Sequence, residues 1–97
     1  MGLFAVLREQ TGAFDHTRPL EEQLEWTAHA AFMDGLTDAG FCVLVGPLEG
    51  TERVLLILRA ASADEIARRL AADPWTVTGM LRTLWIAPWT LRIGSLP

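Results

Sequence analysis

Two continuous apolar segments in the middle of the chain limit the folds that it can adopt. Phe41–Val45 and Val54–Leu58 carry apolar side chains at every position, with no polar residue in alternation. A strand of an antiparallel sheet alternates apolar and polar residues when one of its faces meets water. The two segments therefore predict strands that are covered on both faces.

Further signals on either side predict a short series of strands and helices. Strands are predicted at Leu3–Arg8, Phe41–Val45, Arg53–Arg59 and within Leu81–Ile93, where Pro88 indicates a sheet edge or a bulge. A first helix is predicted at Leu20–Ala39, with one apolar face made of Leu20, Leu24, Ala28 and Ala31. Glutamates in its first turns suit the helix dipole, and Gly40 is a predicted stop.

A second helix is predicted to begin at a capping box. Ser62 and Glu65 have the spacing of that motif, and Ile66 and Leu70 form the apolar stripe that follows. Pro74 is predicted to end this helix, because the residue before a proline is pushed out of helical geometry. The element order βαββαβ predicts an α+β, ferredoxin-like domain, with a four-stranded antiparallel sheet and both helices on one face.

The second face of this sheet is predicted to pack against another copy of the chain. The 97 residues form one predicted domain, 51% of them are apolar, and the single cysteine, Cys42, cannot form an internal disulfide. Residues of the last strand, Leu81, Trp85, Ala87, Trp89 and Leu91, add to one side of the sheet. Because monomers rarely expose a large apolar patch, we expect a homodimer through the apolar sheet face. The alternative is that loops or a terminus cover it.

Charge and hydropathy exclude two kinds of partner. The net charge is −4, and no basic cluster is longer than Arg68–Arg69, so nucleic-acid binding is not expected. The apolar runs are too short to span a membrane, and nothing resembles a signal peptide. A cytoplasmic location is the expectation.

His29 is the first candidate for chemistry. It shares a flank of the predicted helix with Trp26 and Met33, and Glu25 lies one turn earlier as a possible partner. Histidine is suited to proton transfer near neutral pH. The alternative is a structural histidine that packs beside Trp26.

Asp73 is the second candidate. It follows the second predicted helix, at the end where the helix dipole disfavours a carboxylate. That position suggests a partner for the charge, and a histidine is a natural one because a carboxylate fixes its tautomer. The alternative is a turn aspartate before Pro74.

The remaining candidates carry weaker signals. His16 and Asp15 lie in a loop without a second pair at metal-binding spacing, so no metal site is predicted. Cys42 is expected to act as a small buried hydrophobe. Trp75, beside Asp73, is the tryptophan placed to wall a pocket, with core packing as its alternative. No Gly-rich phosphate loop or nucleophile elbow is present, and we expect no cofactor.

Several short stretches together resemble the YCII-related (YciI-like) family along nearly the whole chain. They are Trp26–Asp34, Gly40, Gly46–Leu48, Ala72–Trp75 and Ala87–Trp89. The resemblance implies a ferredoxin-like fold, a dimeric α/β barrel and relatedness to muconolactone isomerase-like proteins. It also implies that His29 and Asp73 form the candidate active-site pair. One relative acts as a dehydrochlorinase on a chlorinated aromatic.

One motif departs from the family. Many members carry an Arg-Pro pair just before the histidine, whereas Arg18 and Pro19 lie further upstream here. Two hypotheses follow. The first is a cofactor-free enzyme for a small cyclic or aromatic molecule, with His29 and Asp73 as the acid/base pair and ligand contacts from Trp26, Met33, Trp75 and Arg18. The second is a non-catalytic dimeric module that binds a metabolite or a protein.

Overall fold

The computed structural model describes residues 1–97. The elements in chain order are β1 (Gly2–Gln10), a 3₁₀ turn (Leu20–Glu22), α1 (Trp26–Asp38), β2 (Cys42–Pro47), β3 (Arg53–Ala60), α2 (Ala63–Leu70), α3 (Pro74–Val77) and β4 (Leu81–Pro88). None of the helices is long and apolar enough to cross a membrane.

The four strands form one antiparallel sheet in the order β2-β3-β1-β4. The main core lies between this sheet and the helices. Phe4 and Val6 of β1 meet Leu36 of α1 and Ile66 of α2 there. The architecture confirms the predicted α+β ferredoxin-like fold.

The first helix begins later than predicted. Gln23 has an extended backbone and Glu25 a left-handed one (φ 63°), so α1 starts at Trp26 rather than at Leu20. The cause is the buried Gln23 side chain, whose amide bonds the backbone of Asp15 and Arg18 and so ties this segment to the preceding loop.

The predicted apolar face of this helix was therefore wrong. Leu20 and Leu24 are 42% and 70% exposed, and the core contacts of α1 come from Phe32, Met33 and Leu36 instead. The early glutamates precede the helix and do not occupy its first turn.

The capping prediction for the second helix is confirmed, but its end differs. The Ser62 hydroxyl accepts from the Glu65 amide, and the Glu65 carboxylate accepts from the Ala61 amide. α2 ends at Leu70, and Pro74 begins the new helix α3 instead of only stopping the old one. Proline suits this first helical position because its missing N–H has no partner there in any case.

A β-bulge shapes the last strand. Leu7 pairs with Trp85 and Arg8 with Thr83, so Leu84 has no partner in the register. The bulge reverses the expected facing of Leu81, which packs with Trp75 and Met80 on the helical side rather than with Trp85. β4 is an edge strand, and Pro88 ends it, as the proline suggested.

Candidate functional site

Asp73 lies fully buried where α2 gives way to α3. Its side chain caps α3, because Oδ1 accepts the Trp75 backbone N–H at 2.9 Å. A capping carboxylate at a helix N-terminus is favourable, so the dipole argument that made this residue conspicuous in the sequence does not apply. The residue nevertheless has further partners.

His29 of α1 is one of these partners. Its Nδ1 lies 2.8 Å from Asp73 Oδ1, although 44 residues separate the two in sequence. The contact of α1 with α3 brings them together. Glu25, the partner considered from the sequence, contributes only its backbone carbonyl, which accepts the His29 amide N–H.

The ionisation of Asp73 fixes the direction of this hydrogen bond. Burial raises the pKa of Asp73, but the hydrogen bonds from His29, the Trp75 amide and Arg8 outweigh it, and the net pKa lies below the usual value. An ionised carboxylate only accepts hydrogen bonds, so the proton of the shared bond is on Nδ1. Nε2 of His29 is then the ring nitrogen available for chemistry.

Nε2 remains accessible. The His29 side chain keeps 12% of its surface exposed. Nε2 of His29 makes no hydrogen bond. If it were buried, it would be a buried polar atom without a partner, but Arg8 Nε is the only such side-chain atom, so Nε2 is accessible to solvent. The arrangement therefore has an oriented imidazole with a free nitrogen at the surface.

Aromatic rings hold the imidazole in place. Trp75 stacks on His29 with ring centroids 3.9 Å apart and planes inclined by 6°. The Trp75 indole N–H donates to the Leu24 carbonyl at 2.7 Å, which fixes the orientation of that ring. Trp26 lies 6.1 Å from His29 and 5.8 Å from Trp75, centroid to centroid. Trp75 is only 2% exposed and belongs to a core cluster, so the structure gives it core packing rather than the predicted place in a pocket wall. Trp26 is the partly exposed ring beside the histidine.

Arg8 of β1 completes the cluster, although it was not among the residues predicted for the site. It is 1% exposed, and its Nη1 donates to Asp73 Oδ2 at 2.9 Å. Its Nη2 donates to the hydroxyl of Thr76. The sequence did contain a signal for this. Phe4, Val6 and Arg8 occupy every second position of a central strand, so their side chains point to the same face of the sheet, which is the core side. A charge there needs a buried partner of opposite sign.

The other residues singled out from the sequence lie elsewhere. Met33 packs against the main core, and Arg18 is exposed and paired with Asp15 in the loop. His16 lies 3.6 Å from Glu52, both on the surface. Burial raises the pKa of the Cys42 thiol, so this cysteine is a poor nucleophile.

Two clefts in the surface are lined by other residues. One, of about 370 Å³, lies between α2 and β4 and includes Thr76 and Leu81. The other, of about 460 Å³, is polar and includes His16, Glu52 and Arg82. Neither includes His29 or Asp73, so the accessible imidazole edge lies outside both.

Comparisons with known proteins place the fold. No protein-family model matches the chain, and no curated protein sequence does. The chain is similar in structure to 5-chloro-2-hydroxyhydroquinone dehydrochlorinase (TftG) from Burkholderia phenoliruptrix AC1100, solved in complex with 2,5-dihydroxybenzoquinone. The two are 23% identical over 91% of this chain and 93% of that one, with a TM-score of 0.65. This likeness shows a common fold.

Proposed function

We propose that the chain is a YciI-like enzyme that performs acid/base chemistry on a small cyclic or aromatic molecule without a cofactor. The observation that carries the proposal is the His29–Asp73 pair, which presents an accessible Nε2 beside two tryptophan rings. Proton transfer needs an oriented group with a free lone pair. The partly exposed Trp26 ring suits a flat, poorly polar substrate.

The roles of the pair follow from its geometry. Nε2 of His29 takes a proton from the substrate, and Asp73 stabilises the imidazolium that forms on the other side of the ring. Isomerisation and elimination begin with such a step, and hydrolysis begins with the same proton transfer from a water molecule. The dehydrochlorinase activity of TftG makes elimination the first reaction to test. In that reaction the base removes a proton while chloride departs with the bonding electrons.

Two compounds test this proposal directly. Calorimetry with 2,5-dihydroxybenzoquinone measures binding, and chloride release from 5-chloro-2-hydroxyhydroquinone measures turnover. We expect binding and chloride release by the purified protein. Protein that neither binds the quinone nor releases chloride would overturn the aromatic-ring assignment.

A non-catalytic module is the second candidate, and two observations favour it. Neither of the two clefts described above includes the pair. The Asp73 carboxylate also joins β1, α1 and α3 through its bonds, which is a structural role in itself. Binding of the quinone without any turnover would support this candidate over the enzyme.

We also propose that the chain forms a homodimer through the sheet face opposite the helices. The strand register places two cross-strand rows of apolar side chains on this face, which we call the open face: Trp85, Leu7 and Leu55, then Ala87, Ala5, Ile57 and Leu44. At the ends of the rows Trp85 and Leu44 are 45% and 44% exposed in the single chain, whereas Leu7 and Ile57 in the middle are already buried at 7% and 8%. A patch of this kind marks an interaction site.

A charge placed on the open face should separate the two copies. We expect Trp85→Glu to sediment as a monomer at concentrations where the wild type is a dimer, because a carboxylate would be buried against its own symmetry mate. Val77→Glu is the matched control, since Val77 is 74% exposed on α3 in the helical layer. Wild-type protein that sediments as a monomer at micromolar concentration would rule out the dimer.

A further inference from the structure

Arg8 is the buried charge that the proposed acid/base roles leave unused. Its guanidinium is 1% exposed and reaches the oxygen of Asp73 that His29 does not contact. The hydroxyl of Thr76 accepts from its other end and donates to the Leu70 carbonyl, which fixes the guanidinium in place. Packing alone does not call for an arginine here, because apolar residues of similar volume often replace a buried ion pair without loss of stability.

We propose that Arg8 is a positioning residue that keeps His29 in its neutral form, with the proton on Nδ1, by balancing the charge of Asp73. The only ion pairs of the cluster are Arg8–Asp73 and Asp73–His29. With a neutral imidazole the net charge of these three groups is zero. With an imidazolium the three groups carry one net positive charge, and two of them, Arg8 and Asp73, are buried away from water, which is unfavourable.

The geometry separates this cluster from a simple aspartate–histidine pair. Where a carboxylate has a histidine as its only partner, its full negative charge favours the imidazolium. Here Arg8 already neutralises that charge from the opposite oxygen, while Asp73 still accepts the Nδ1 proton and orients the ring. The face of Trp75 favours a cation through its ring quadrupole, but that attraction is weaker than a full charge.

The neutral form of His29 limits the kind of substrate that the site can take. This consequence rests on the proposed function. A resting neutral imidazole is a base, so the first step removes a proton from the substrate. The substrate class is then a molecule with an acidic C–H or O–H next to a leaving group or a carbonyl. The imidazolium appears only afterwards, and it returns the proton in a later step.

Nitrogen NMR of labelled histidine tests the assignment without any substrate. The chain has only two histidines, and replacing the exposed His16 by Gln leaves the signal of His29 alone. In that background, near neutral pH, we expect the wild-type cluster to show a neutral ring with the proton on Nδ1. Arg8→Lys keeps the charge and should give the same pattern, whereas Arg8→Gln should show a ring protonated on both nitrogens.

Arg59→Gln is the matched control, because Arg59 is an exposed strand arginine without an ion pair. It should leave the His29 spectrum unchanged. An imidazolium in the wild type, or a neutral ring in folded Arg8→Gln, would overturn the role of Arg8. If Arg8→Gln does not fold, Arg8→Met, which also removes the charge, takes its place with the same expected spectrum. If the spectra are as expected but the protein shows no turnover, the proposed enzyme activity is wrong and the role of Arg8 still stands.

Discussion

Replacement of Asp73 by Ala should lower the free energy of unfolding by about 3–5 kcal/mol. The change leaves the Arg8 guanidinium buried without a counter-charge and removes the acceptor of the Trp75 amide. The loss is a large share of the roughly 5–15 kcal/mol that stabilises a typical domain. Urea unfolding followed by tryptophan fluorescence measures it.

Two further variants separate charge from packing in this result. Asp34→Ala is the control, because Asp34 is an exposed carboxylate on α1 without an ion pair or a side-chain hydrogen bond. It should change stability by no more than about 0.5 kcal/mol. The double variant Arg8→Met/Asp73→Asn removes both buried charges and should recover part of the loss. Equal effects of Asp73→Ala and Asp34→Ala would show that Asp73 does not compensate Arg8 in solution.

Asp73 should also make the stability of the folded protein depend on pH. Because the pKa of Asp73 lies below its usual value in the folded protein, its contribution is present above the unfolded pKa and is lost as the pH falls through the folded one. Wild-type stability should therefore drop on acidification below about pH 4. The curve for Asp73→Asn should be flatter, and the difference between the two curves isolates this carboxylate from the other acids.

The fold was predictable because local signals agree with the global arrangement. The two apolar segments became paired strands of one sheet, and the Ser62 cap marked the start of α2. The start of α1 was not predictable from helical periodicity. It depends on the Gln23 amide reaching back to the Asp15 loop, which is a contact between segments rather than a property of the local sequence.

The candidate site was likewise predictable only in part. His29 and Asp73 were singled out from residue type, position and family resemblance, and they lie within hydrogen-bond distance of each other in the structure. Arg8 was read only as the end of an apolar strand. The alternation of Phe4, Val6 and Arg8 does indicate that its side chain points inward, but its partner Asp73 lies 65 residues away and cannot be identified from the local sequence. A charged residue in phase with the core side of a central strand is the signal to look for.

His29→Asn should separate catalysis from structure. The shorter amide can still donate to Asp73 from a position close to that of Nδ1, but it has no counterpart of Nε2. We expect chloride release from 5-chloro-2-hydroxyhydroquinone to fall about 100- to 10,000-fold, the usual contribution of a general base, while stability changes little. His16→Asn, which alters the exposed histidine, should keep full turnover. If His29→Asn instead unfolds the domain yet the folded fraction retains its turnover rate, the imidazole is a structural link between α1 and α3 and the base lies elsewhere.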